Sequence, residues 1–161
     1  MSDFRHQHDD TQVALLLFQL DGRAYALRLD RVERVTASVA VTPLPAAPPV
    51  VMGVIDVAGQ IVPMFDLRQR FGLPSRQPRL DDALVIVQAS SRLVALLVDH
   101  VDGTIHRDPE DLRPTDGIVP GTRYFDAVMS LPDGPVFIHD IDRFLSMEEE
   151  RELDVAMGAA R

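Results

Sequence analysis

The sequence predicts an all-β protein of the small-barrel or sandwich kind, finished by one helix at its C-terminal end. Three observations carry this. About nine or ten short apolar runs, several of them alternating, are separated by turns rich in Gly, Pro, Asp and Ser. No run is followed by the 10–15-residue helical pattern that would signal a βαβ unit and a parallel sheet. Only the segment from Ser146 combines a capping signature with apolar residues four apart.

Taken in order, Met1 to Gln12 is polar and without period, as in a disordered tail. His6 and His8 lie in it, and two imidazoles on a tail are solvated far more often than they chelate a metal. Val13–Leu20 reads as a buried strand and Asp21-Gly22 as a hairpin turn. Tyr25, Leu27 and Leu29 then alternate with Ala26 and Arg28, giving a half-exposed strand. Val32-Glu33-Arg34-Val35 follows, with its two valines three apart. Thr42 to Pro49 holds four prolines in eight residues, so it is an extended loop rather than a helix or a central strand.

The most informative stretch is Gly53 to Pro74. Val54, Ile55 and Val57 surround a single acid, Asp56. The chain turns at Ala58-Gly59 and runs apolar again through Ile61, Val62, Met64 and Phe65. Two apolar runs flanking a glycine predict a tight hairpin, with Pro63 requiring an edge or a bulge where it stands. Leu67 and Phe71, followed by Gly72 and Pro74, predict one helical turn that is then stopped.

Ser75 to Asp82 reads as a polar surface linker. Ala83–Ala89 and Arg92–Val98 form a hairpin about Ser90-Ser91, and Thr104-Ile105 resumes a strand after Asp99–Gly103. His100, between acids, is a surface side chain on this reading. Asp108 to Arg123 is a long connection with a turn at Pro109–Leu112. Tyr124–Leu131 and Val136–Ile141 are strands about Pro132–Pro135, with His139 pointing away from Ile138 and Ile141. Ser146-Met147-Glu148-Glu149 fits a capping box, Leu153 and Met157 supply the apolar stripe, and Glu148, Glu150 and Arg151 face solvent.

Composition narrows the function. At 161 residues, 46% of them hydrophobic, the chain suits one folded domain, here residues 13–161. Cysteine is absent and all sixteen basic residues are Arg. That removes thiol nucleophiles, cysteine-ligated zinc, Schiff-base chemistry and a phosphate-loop lysine. A net charge of −9 opposes binding to nucleic-acid backbones and to anionic membranes. No run approaches the length of a membrane span, and the N-terminus lacks the apolar core of a signal peptide, so a cytoplasmic location is expected. Gly-rich nucleotide loops, the GxSxG elbow and HExxH are all missing. Asp102-Gly103-Thr104 has the letters of an aspartic-protease loop but no second such segment. The expectation is a binding module with no catalytic residue, no metal and no cofactor.

The Gly53–Arg68 stretch resembles the signature of the CheW-type chemotaxis coupling proteins: a glycine, a short strand ending in Asn-Leu-Arg-Gly, two apolar residues, Pro, two more, then Asp-Leu-Arg. The matching residues are Gly53, Asp56-Val57-Ala58-Gly59, Ile61-Val62, Pro63, Met64-Phe65 and Asp66-Leu67-Arg68. Asp56 and Ala58 stand where that pattern has Asn and Arg. Leu17-Phe18, Tyr25, Val98-Asp99, Leu112-Arg113-Pro114 and Ser146–Glu149 extend the resemblance over roughly Leu15 to Ala156.

The resemblance implies two intertwined, five-stranded, SH3-like barrels sharing a hydrophobic seam, with the C-terminal helix beside them. It implies an adaptor that binds the regulatory domain of a CheA-type histidine kinase and the cytoplasmic tip of a chemoreceptor. A specialised relative binding only one of them, and a small-molecule-binding barrel, are the other readings. Carried over by motif, the protein-binding residues are Val32, Arg34, Val35, Gly53, Asp56 and Ala58. Three of these keep a second reading: Val32 and Val35 have the spacing of core residues, and Gly53 the character of a backbone requirement.

Overall fold

The computed structural model describes residues 11–115 and 124–159. Among these residues, eleven strands form two sheets. The strands are β1 (Val13–Leu20), β2 (Arg23–Arg28), β3 (Val32–Ala37), β4 (Val51–Val57), β5 (Gln60–Phe65), β6 (Ala83–Gln88), β7 (Leu93–Val98), β8 (His100–Arg107), β9 (Arg113–Pro114), β10 (Phe125–Leu131) and β11 (Gly134–His139). One helical turn, α1 (Leu67–Arg70), follows β5, and the helix α2 (Met147–Ala159) comes last. The first sheet runs β8-β1-β2-β11-β10-β9 and the second β3-β6-β7-β5-β4. The chain starts in the first sheet, builds the whole second sheet, then returns to complete the first, which is why the two barrels are intertwined.

Both sheets follow one plan. Two antiparallel hairpins meet side by side through a short parallel contact: Phe137 and Ile138 with Tyr25 and Ala26 in one, Met64 and Phe65 with Ala95 and Leu96 in the other. The first sheet adds a sixth strand, the two-residue β9, to the five expected.

Packing explains the continuous apolar runs. Leu15, Ala26, Ala127, Met129, Val136 and Ile138 fill the interior of the first barrel; Ile55, Val62, Met64, Leu84, Ile86 and Ala95 fill that of the second. The residues between them along the same strands, including Leu16, Phe18, Tyr25, Leu27, Phe65, Val85, Val87, Val94, Leu96 and Val98, join a third and largest cluster between the barrels. A strand buried on both faces has no polar face to show, so alternation disappears. This corrects the half-exposed reading of β2, where Tyr25, Ala26 and Leu27 are all buried. An aromatic chain crosses the seam, with ring centroids 5.8 Å apart for Phe18–Tyr25, 5.0 Å for Tyr25–Phe71 and 4.8 Å for Phe71–Phe125.

The Asp21-Gly22 and Ala58-Gly59 turns, the proline loop and the helical turn after Asp66 are present. Strand β5 lies between β7 and β4 rather than at an edge. Pro63 is accommodated because its partner across the ladder, Val54, directs both its N–H and its C=O to Thr42 instead, and pairing with β7 begins only at Met64. Strand β8 begins at His100, earlier than the sequence indicated. An irregularity opposite Leu17 and Phe18 absorbs Asp102, whose carboxylate accepts from Gln19 Nε2 at 3.0 Å. His100 is exposed. The tail residues 1–10, with His6 and His8, and residues 116–123 of the long connection lie outside the described residues.

Candidate protein-binding surface

Strands β3 and β4 end the second sheet on opposite sides, and the chain between them brings those ends together. Beyond β3, Thr42 exchanges both backbone hydrogen bonds with Val54, at 2.9 and 2.7 Å, and so closes the barrel. The six residues expected to bind partners therefore lie on one barrel, three on β3 and three on or just after β4.

They separate by role. Val32 is half-buried and packs on the seam cluster, the position its core spacing leads one to expect. Arg34 and Val35 point outward, with Val35 44% exposed. A bulge between Val32 and Arg34 leaves Glu33 without a partner on β6, so Glu33, Arg34 and Val35 are exposed in succession. The Arg34 guanidinium has no ion-pair partner among the described residues, whereas Arg31 beside it is held by Asp142 at 2.7 and 3.0 Å.

Gly53 is buried with φ +150°. A Cβ there would sit 2.3 Å from the Thr42 carbonyl oxygen, the atom that closes the barrel. Its place in the motif is thus explained by backbone approach. Asp56 is exposed, and its Oδ1 accepts from the Gly59 N–H at 2.7 Å, pinning the turn. Ala58 and Gly59 have φ of +52° and +87°, the two left-handed residues of a type I′ hairpin. Arg34, Val35, Asp56 and Ala58 remain as outward-facing positions.

Two apolar side chains that the sequence reading did not select share this exposure: Val39 (46%) and Ile61 (48%). Ile61 was legible, because counting back from a two-residue turn places it opposite Asp56, and cross-strand partners share a face. Val39 lies in an irregular segment with no such ruler.

Also unforeseen is an ion-pair cluster where Ser75 to Asp82 was expected to be a solvated linker. Arg68 is only 8% exposed. Its guanidinium donates to Asp99 Oδ2 at 2.5 Å and to the Pro74 carbonyl at 3.1 Å, and lies 3.7 Å from Asp21. Arg76 donates to Asp99 Oδ1 at 2.5 Å and to buried Asp82 at 2.8 Å. Burial works to raise the Asp99 pKa, but bonds from Arg68, the Asp21 N–H and Arg76 outweigh it and hold the carboxyl below its usual range. The Asp82 hydrogen bond foremost, against desolvation, keeps Arg76 firmly charged. Such a cluster ties the β1–β2 turn of one barrel to α1 of the other. Among the described residues no group of three His, Cys, Asp or Glu is placed to hold a metal ion, and no helix is long and apolar enough to cross a membrane.

Comparison with known proteins agrees with this architecture. The family described as CheW-like domain matches residues 14–149. The chain is 30% identical over 104 residues to the chemotaxis protein CheW of Rhizobium meliloti, covering 65% of this chain and 67% of that one. It is 26% identical over 141 residues to the chemotaxis protein CheW of Klebsiella aerogenes, covering 86% and 85%. Among solved structures, the scaffolding protein TtCheW from Thermoanaerobacter tengcongensis superposes with a TM-score of 0.78 at 25% identity, covering 85% of this chain and 94% of that one. With a match over most of its length and the same double-barrel fold, the chain belongs to the CheW-like domain family.

Proposed function

We propose that this chain is a non-enzymatic adaptor that couples chemoreceptors to a CheA-type histidine kinase in a chemotaxis-like signalling array. The observation that carries the reading is family membership across nearly the whole domain, residues 14–149, together with relatives named for chemotaxis. An adaptor needs no chemistry of its own. It needs a stiff body with exposed strand ends, which two barrels packed on a shared seam supply. On this reading the outer face of the second barrel, with Arg34, Val35, Asp56 and Ala58, meets the regulatory domain of the kinase. The receptor's cytoplasmic tip is the other partner, and the protein works in the cytoplasm.

Titration of the protein with purified kinase regulatory domain and, separately, with a receptor-tip fragment tests the reading. Binding to both supports it, binding to one alone returns the single-partner alternative, and binding to neither at about 100 µM sinks it. Apolar centres carry affinity while rim charges set encounter rate and partner choice. Val35→Asp should therefore weaken kinase binding at least about tenfold, and Arg34→Ala about threefold or less. If neither variant changes binding, the contact lies on another face.

A further inference from the structure

We infer that the mouth of the first barrel binds a small branched alkylammonium. The inference goes beyond the adaptor reading and does not rest on it. Strands β2 and β11 lie side by side only where Tyr25 meets Phe137 and Ala26 meets Ile138. Ahead of that contact the two strands part, and a cavity of about 550 Å³ lies between them. Leu17, Ala24, Leu131 and Val136 line it as the outer layer of the first barrel's interior, Val136 buried and the other three half-buried. Arg23, Asp102 and Asp133 line it as well. A few hundred Å³ of apolar wall with a few convergent polar groups, at the mouth of a barrel, is the usual form of a small-molecule site.

The second barrel shows which group belongs there. Both sheets follow one plan, so their positions can be matched. Ala26 and Ala95 are the interior alanines of the two parallel contacts, opposite Leu17 and Ile86 respectively. Two residues before each stand Ala24, opposite Gln19, and Leu93, opposite Gln88. Counting from the two-residue turns matches Leu131 with Val57 and Val136 with Val62. Three of these four positions differ by one carbon at most, whereas Ala24 is three carbons smaller than Leu93. Leu93 packs on the interior of its own barrel. The group that fits beside Ala24 is therefore a branched alkyl of about isobutyl size. Its charge follows from the rim. Asp133 stands where the second barrel has Gly59, is exposed, and has no hydrogen-bond or ion-pair partner among the described residues. Asp102 accepts from Gln19, and Arg23 hydrogen-bonds the Tyr25 hydroxyl. Two carboxylates against one guanidinium, on a chain of net charge −9, favour a cation. No protein side chain joins a branched alkyl body to an ammonium, so the occupant is a small molecule.

Titration of the full chain with isoamylammonium, followed by amide NMR, tests this. Isoamyl alcohol and isocaproate carry the same alkyl body with no charge and with a negative one. Isoamylammonium should bind with a Kd of about 1–5 mM, as suits a ligand of about six non-hydrogen atoms, and should shift Ala24, Leu131 and Val136 most. The alcohol should bind about threefold weaker or more, and isocaproate at least about tenfold weaker. Ala24→Leu gives the first barrel the residue of the second and should weaken isoamylammonium at least about tenfold. Asp133→Asn, at an exposed turn, should weaken the cation about threefold and leave the alcohol unchanged. The absence of saturable binding up to about 50 mM overturns the inference. So do largest shifts outside the first barrel's mouth, or isocaproate binding as tightly as the cation. An Ala24→Leu chain that folds and binds like the parent also overturns it. If that variant does not fold, Asp133→Asn decides: unchanged binding of the cation, or equal weakening of cation and alcohol, overturns the inference.

Discussion

Gly53 and Ala58 lie five residues apart in the motif that resembles the family signature, and they obey opposite constraints. At Gly53 both the φ of +150° and the 2.3 Å approach of the Thr42 oxygen exclude a side chain. Gly53→Ala should cost about 2–4 kcal/mol in urea unfolding, because the closing bridge must shift. At Ala58 the φ of +52° holds an ordinary residue in the left-handed region, and there Ala58→Asn should stabilise by about 0.5–1 kcal/mol. If instead Gly53→Ala unfolds like the parent, the barrel is not closed through Thr42. The glycine's two readings could not be separated from sequence, since the atom that approaches it belongs to a residue eleven positions earlier in an irregular loop. Val32 and Val35 were ambiguous for a similar reason: a bulge breaks the alternation that would otherwise have assigned their faces.

Among the elements, α2 was the most legible. Its capping box forms in both directions: the Ser146 N–H donates to Glu149 Oε1 at 2.9 Å, and the Glu149 N–H donates to Ser146 Oγ at 3.1 Å. What the local sequence could not show is that Glu149 has a second task. Its Oε2 accepts from Arg70 at 2.6 Å, and that guanidinium also lies over the Tyr124 and Phe144 rings. Ser146→Ala should therefore cost about 1 kcal/mol, the usual loss of a cap. Glu149→Ala should cost about 2–3 kcal/mol, since it also leaves a half-buried cation without its carboxylate. Equal costs would mean that the Arg70 contact contributes nothing. The strands were legible as strands but not as two barrels. A run such as Leu84-Val85-Ile86-Val87 reads the same whether it is buried in one sheet or shared between an interior and a seam.

At the scale of the whole molecule, the seam determines how the protein answers acid. His139 lies there, 2% exposed, against Phe71, Phe125 and Phe144 at 5.2–6.3 Å between ring centroids, and neither ring nitrogen has a hydrogen-bond partner among the described residues. Desolvation lowers its pKa to about 3 from an ordinary 6.5. The folded state thus binds its proton later than the unfolded state does. The stabilisation this gives is fully present above about pH 6.5 and is lost progressively down to about pH 3. Between pH 7 and pH 5 alone the loss is about 2 kcal/mol. The carboxyls held below their usual range, Asp99, Glu149 and Asp142, have the same sign but act only on further acidification, below about pH 4. Acid unfolding should therefore have an early phase that belongs to one residue in the seam. His139→Leu, which keeps an apolar side chain of similar size among the aromatic rings, should flatten stability between pH 7 and pH 5 while leaving the steep loss below pH 4. If the variant and the parent decline in parallel from pH 7, the early phase has another source, and His139 in solution is reached by water that this packing excludes.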